Sequence, residues 1–324
     1  MRRALIVGID NYSFGPLHGC VTDARKMKEV LSHNENGDFP SQNFECQVLT
    51  SDKIKVTKKE LSKAIKRLFH DPAGIISTSV FYFAGHGFEN DLGGYLVTED
   101  AQQYSEGIAM RDIIQWCATS PIKEIILILD CCHAGHLGNT EPDSPQRAFL
   151  PKGVSIITSS EAGQSSEERN GEGLFTSIIH EALLGAAADI RGVITVASVY
   201  HYADRMLGAF DQRPIFKTYV PKMTQLRQVT PRVSQKQLID LTKLFKTADS
   251  HFPLDKSYEP TENPKHDEHE KLFALLQKLT SADLVYPVDE DHMYYAAING
   301  KACALTPQGK LYWTLTQKGR FYRA

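Results

Sequence analysis

Three short stretches of this chain are apolar almost without interruption: RALIVGID at 3–10, VFYFA at 80–84 and IILIL at 125–129. Strands with one wet face alternate apolar and polar residues, so uninterrupted runs of this length predict strands buried on both faces. That requirement points to an open, mostly parallel sheet with helices on both faces. The covering helices are legible too. Within 19–32 the residues Val21, Ala24, Met27, Val30 and Leu31 recur at helical spacing,. The same rhythm predicts strands at 44–50, 78–84, 123–130, 153–159 and 213–220. Helices are expected at 57–70, 109–118, 174–187 and 195–208, which makes the fold class α/β.

The rhythm stops near residue 222. A domain over 1–222, a linker at 223–234 and a second small α+β domain over 235–324 are the expected organisation, in keeping with 324 residues,. Within 235–324 the expected elements are helices at 235–247 and 267–280, an extended piece at 292–298 (HMYYAAI), and a helix opened by Thr306-Pro307,. Hydrophobic residues make up 42% and charged ones 23%, which excludes wholesale disorder,. A net charge of −3 provides no global field toward nucleic acid or anionic lipid,. No apolar run approaches membrane-spanning length, and MRRALIVGIDNY reaches Asp10 before a signal-peptide core could form,. Six cysteines, two of them adjacent at Cys131 and Cys132, do not form a disulfide framework,. A cytoplasmic protein is expected.

Two loops interrupt the pattern just beyond strand ends, at 85–94 and 136–152, and the crevice outside carboxyl ends of parallel strands is where ligands bind. The first loop presents His86 between Gly85 and Gly87. The second begins at Asp130, Cys131 and Cys132, and Cys132 lies 46 residues after His86. Neighbouring parallel strands would bring the two together. The pairing is a chemical one: a thiol is mostly protonated at neutral pH, and an imidazole raises its thiolate fraction and moves its proton. Backbone N–H groups of Gly87 and Cys132 are candidates for holding an oxyanion.

Blander readings apply elsewhere. Cys131 reads as a buried structural thiol, since successive strand residues face opposite ways. Cys131, Cys132, His133 and His136 lack the matching second pair of a tetrahedral zinc site, so no metal is expected there. No phosphate-loop motif accompanies the glycines. Lys58, Lys59, Lys63, Lys66 and Arg67 read as one solvated helix face.

The segments RALIVGIDNY…LHGCVTDA, YFAGHG, DCCHAG, SSEAGQSSEE…GLFTSIIHEAL and QRPIFK, in that order over about 1–222, resemble the caspase and metacaspase superfamily of cysteine peptidases, and the metacaspases in particular. The resemblance implies Cys132 as nucleophile, His86 as its base and Cys131 as a variable neighbour. It implies an acidic pocket of Asp23 and Asp130 for Arg or Lys before the scissile bond, in protein substrates; carboxylates suit such cations. Animal caspases hold aspartate with an Arg where this chain has Leu17. Metacaspase calcium sites lie in an acid-rich insertion, whereas FENDLGGYLVTED has few carboxylates and Asn139 is neutral, so no cofactor is expected.

Arg147 and Lys152, in the Pro-rich 136–152 loop, are the expected self-cleavage positions. The 235–324 region lies outside the catalytic resemblance and reads as helix plus hairpin of winged-helix kind. It holds 12 Lys+Arg against 12 Asp+Glu, which gives a nucleic-acid role no support. Its Tyr294, Tyr295, Tyr312, Trp313, Phe321 and Tyr322 read either as an ordinary core or as a sensor surface for a small-molecule or protein activator. Compact bacterial caspase-like proteases of this size resemble effectors of cell-death or antiviral systems, and by that analogy such a role is expected. The alternative to a peptidase is a catalytically silent caspase-like scaffold or signal-binding module.

Overall fold

The apolar runs become strands because helices close over both sides of the sheet they form. The protein, described here from a computed structural model, is defined over residues 1–36, 39–90, 93–102, 107–131, 150–159, 168–169, 172–208, 213–262 and 265–320. It divides into two units, the first comprising Met1–Asp189 and Val193–Thr230. There β1 (Arg2–Gly8) leads into α1 (Cys20–Ser32), followed by a hairpin of β2 (His33–Asn36) and β3 (Phe39–Gln42). The chain continues through β4 (Glu45–Thr50), α2 (Lys58–Phe69) and β5 (Thr78–Ala84). A small antiparallel sheet of β6 (Gly87–Asn90), β7 (Gly93–Val97) and β8 (Gly107–Ala109) precedes α3 (Met110–Ala118) and β9 (Glu124–Asp130). Then come β10 (Val154–Thr158), the short pair β11 (Glu168–Arg169) and β12 (Glu172–Gly173), α4 (Leu174–Glu181), β13 (Val193–Thr195), α5 (Val196–Leu207), β14 (Ile215–Tyr219) and β15 (Gln225–Gln228).

The main sheet has the order β14-β10-β9-β5-β1-β4. All its neighbours run parallel except β14, which is antiparallel to β10. Strand parity sorts side chains into two cores. Leu5, Val7, Phe81, Phe83, Leu127 and Leu129 face one, with Leu61 and Ile65 of α2 and Ile113 of α3. Ala4, Ile6, Val80, Tyr82, Ile126 and Ile128 face the other, with Ala24 and Met27 of α1, Phe175 of α4 and Val199 of α5. Asp130 belongs to the second set and Cys131 to the first, so the strand end aims its carboxylate at α1 and α4.

Helix α1 shows how the sheet end is tied to its cover. Its N-cap is Gly19, which has no side chain to accept the first N–H groups. Asp10, just past β1, reaches across instead and accepts from Cys20 N at 2.9 Å and Val21 N at 3.2 Å. A carboxylate at a helix N-terminus also meets its positive end. Asp10→Ala is therefore expected to cost about 1–2 kcal/mol, read as a lower urea midpoint of unfolding; an unchanged midpoint would show the cap to be idle.

Two expectations are corrected here. The 223–234 stretch, expected as linker, contains β15, paired with β13. Its Leu226 and Arg227 are buried, and Arg227 donates to the carbonyls of His33 and Leu183 and pairs with Glu35 at 2.8 Å. Those anchors hold the stretch up to Thr230 in the first unit, while residues 231–234 belong to the second.

The second unit comprises Ile190–Gly192 and Pro231–Ala324. It contains α6 (Gln235–Leu244), β16 (Phe252–Pro253), α7 (Asp267–Ser281), β17 (Val285–Val288), α8 (Met293–Ile298), β18 (Ala302–Leu305) and α9 (Pro307–Gln317). Its antiparallel sheet has the order β16-β18-β17, and its core includes Leu238, Leu241, Phe245, Phe273, Leu276 and Leu305.

The second correction is that 292–298, expected as extended, forms α8. Met293, Ala296 and Ala297 are buried at helical spacing, and the His292 side chain caps Tyr294 N. Tyr312 and Trp313 pack on the core, with Trp313 Nε1 donating to Phe245 O at 2.8 Å, while Tyr295 is exposed. Phe321 and Tyr322 lie outside the described residues. Among the described residues no helix is long and apolar enough to cross a membrane.

Candidate active site

Strands β5 and β9 are neighbours, and just beyond their ends the N–H of Gly85 donates to Asp130 O at 3.3 Å. Only glycine fits at 85. A Cβ there would meet the Tyr12 hydroxyl at 2.4 Å and the Phe83 ring at 2.9 Å. This close approach lets the His86 N–H donate to Tyr12 Oη at 3.0 Å, while Tyr12 in turn donates to Val97 O at 3.3 Å. The two rings pack with centroids 4.6 Å apart. Burial, partly offset by the His86 N–H, pushes the Tyr12 phenol well above its ordinary value, so it remains a neutral donor,.

The His86 imidazole is half-buried, with Nε2 2.6 Å from Gly15 O. A carbonyl only accepts, so the ring donates through Nε2 in this contact,. The next residue, Gly87, pairs with Leu96 while Val97 N donates to His86 O. In an antiparallel ladder that pattern makes Gly87 and Leu96 a non-hydrogen-bonded pair, so the Gly87 N–H is not consumed by β7.

Cys132 and Arg147 lie outside the described residues. Cys131 is buried at 1% exposure within the core on the α2 and α3 side. Lys152 is exposed in the turn before β10.

Asp23 and Asp130 converge on the other side of the sheet end, and both are buried. Asp23 Oδ2 accepts from the Gly173 N–H at 3.0 Å, and Asp130 Oδ2 accepts from Thr176 Oγ1 at 2.7 Å. Both oxygens crowd the same side of Gly173. A Cβ on that residue would lie 2.6 Å from Asp130 Oδ2 and 3.0 Å from Asp23 Oδ2. Behind Thr176 stands the Tyr82 hydroxyl, 2.6 Å from Oγ1. Sequence reasoning found the two carboxylates; it missed Tyr12, Gly15, Tyr82, Gly173 and Thr176. The only local hint was the glycine before a helix at 173. The other contacts span 46 to 94 residues and leave no trace in spacing.

Among the described residues no group of three or more His, Cys, Asp or Glu side chains is arranged to hold a metal ion.

Comparison with known proteins bears on this geometry. The caspase-domain family, Peptidase_C14, matches residues 1–237. A probable protease from a Desulfuromonadales bacterium is 26% identical over 232 residues, covering 62% of this chain and 27% of that protein. Metacaspase-1A of Aspergillus oryzae is 28% identical over 153 residues, 41% of this chain and 34% of that one. The chain thus matches about a quarter to a third of the length of these curated relatives. The crystal structure of caspase-1 from Spodoptera frugiperda shares the fold, with a TM-score of 0.52 at 14% identity over 70% of this chain and 90% of that one.

Proposed function

Because the chain belongs to the caspase-domain family, we propose that it is a cysteine endopeptidase acting through Cys132 and His86 on protein substrates with Arg or Lys before the scissile bond. The observation that carries this reading is the orientation of His86, clamped by Gly15 and Tyr12 beside the end of the strand that leads to Cys132. The Cys132 thiol gives its proton to His86 Nδ1, and the thiolate attacks the scissile carbonyl carbon. The Gly87 and Cys132 N–H groups receive the oxyanion. His86 then protonates the leaving amine as the C–N bond breaks, which leaves a thioester. Water, deprotonated by His86, attacks that thioester and releases the acid and the thiol.

Specificity is assigned to Asp23 and Asp130, whose buried carboxylates would receive a guanidinium or ammonium group,. Cleavage at Arg147 or Lys152 would nick the chain itself, and the exposed setting of Lys152 suits such a cut,. The second unit is the proposed sensor for a small-molecule or protein activator, in the service of a cell-death or antiviral response. Cys20, Cys46, Cys117, Cys131 and Cys303 are unbridged thiols, in keeping with a cytoplasmic setting,.

The test is a fluorogenic panel ending in Arg, Lys, Asp or Leu, run on wild type and Cys132→Ala with and without calcium. Cleavage confined to Arg and Lys peptides, unaffected by calcium and at least about a thousandfold lower in Cys132→Ala, is expected. Turnover surviving in Cys132→Ala would refute the nucleophile. Cleavage after Asp or Leu would refute the pocket, and silence on every peptide would favour the scaffold reading for the isolated chain.

A further inference from the structure

We propose that Thr176, Tyr82 and Gly173, none of which touches the substrate, are positioning residues that keep the Asp23 and Asp130 carboxylates converged, and thereby set selectivity for a cationic side chain. This rests on the specificity reading above. Thr176 has one hydroxyl proton, and at 2.7 Å it is donated to Asp130 Oδ2. The 2.6 Å contact between Tyr82 Oη and Thr176 Oγ1 must then run from the tyrosine,. The result is a directional relay, tyrosine to threonine to carboxylate, in which each donor strengthens the next. Tyr82 suits that place. Burial, reinforced by the charges of Asp130 and Asp23, raises its phenol well above the ordinary value, so it remains protonated,.

The second arm is a backbone one. The Gly173 N–H donates to Asp23 Oδ2 at 3.0 Å from the N-cap position of α4. Gly173 and Thr176 therefore move with one helix, and α4 orients both carboxylates at once. Position 173 admits no side chain, since a Cβ would lie within 3.0 Å of both carboxylate oxygens. Two carboxylates brought this close repel each other when ionised. Donors fixed by a helix and a strand hold them together in the absence of a cation. A guanidinium or ammonium arriving between them meets carboxylates already in place and spends little binding energy in gathering them.

The experiment compares wild type, Thr176→Val, Thr176→Ser and Tyr82→Phe on an Arg peptide, measuring KM and kcat separately. The rate of Cys132 alkylation by iodoacetamide is followed by peptide mass. Cys117 and Cys303 do not interfere, since burial pushes each thiol up to about 12. Thr176→Val keeps the shape and removes the donor. It is expected to raise KM about tenfold to a hundredfold, with kcat changed less than threefold and alkylation within twofold of wild type. Thr176→Ser should restore KM to within about threefold, and Tyr82→Phe should fall between wild type and Thr176→Val.

A wild-type KM in Thr176→Val would overturn the proposal while leaving Arg specificity intact. So would valine and serine variants equally impaired with alkylation slowed in both, since that pattern marks general disruption. Wild type that cuts after neither Arg nor Lys would remove the specificity reading and this inference with it, an outcome visible before any variant is made.

Discussion

A His86→Ala chain is expected to bind an Arg peptide with nearly unchanged KM and to turn it over about a hundredfold to ten-thousandfold more slowly. The size follows from the two duties proposed for the ring. It would remove the thiol proton before attack and return a proton to the amine as it leaves, both through Nδ1, because Nε2 contacts Gly15 O at 2.6 Å. Alanine removes both duties while disturbing little else, since His86 is half-buried and its backbone N–H still reaches Tyr12 Oη. The check is steady-state kinetics on the Arg peptide together with the alkylation rate at Cys132, which should also fall as the thiolate fraction drops. Retention of a tenth or more of wild-type kcat would mean that another group moves the proton and that the His86 assignment is wrong.

The second large effect is expected at Asp130. Asp130→Ala should lower kcat/KM on an Arg peptide by about 2–5 kcal/mol, roughly thirtyfold to several thousandfold, because a cation would enter a buried site with half its countercharge missing. The buried position of Asp130, at 6% exposure, is what makes the loss large; an exposed pair would be worth little,. Alkylation at Cys132 by a small neutral reagent reads the dyad without the pocket and should be nearly unchanged. An Arg peptide cut at the wild-type rate, or alkylation falling in step with peptide cleavage, would contradict the assignment.

Legibility in the sequence followed the range of the interaction. β5 and β9 lie where uninterrupted apolar runs put them, since burial on both faces leaves a local mark on composition,. The β2–β3 hairpin escaped, because His33–Asn36 and Phe39–Gln42 are short and largely polar and are held by their own pairing. β15 escaped for a related reason: Arg227 looks like a surface residue until the carbonyls of His33 and Leu183 surround it. In α8 six residues with two adjacent tyrosines gave no clear period, and a core of Met293, Ala296 and Ala297 decided the conformation.

At the candidate site the titratable residues stood out by type and motif. Their holders did not: Gly15 acts through a carbonyl and Gly173 through an N–H, groups every residue carries, so only the folded chain shows which of them matter.

The parity of β9 implies that this segment is constrained in length more than in composition. Substituting one aliphatic residue for another between Ile125 and Leu129 changes packing by a methyl group or two, which cores accommodate at modest cost. Gaining or losing a single residue there is a different kind of change. Every later side chain would switch faces, turning the position of Asp130 toward α2 and α3 and sending Cys131 toward α1 and α4,. The strand is thus a counting device whose output is the direction of the carboxylate at its end. Libraries that vary its residues should yield many folded members, whereas those that vary its number of residues should yield almost none.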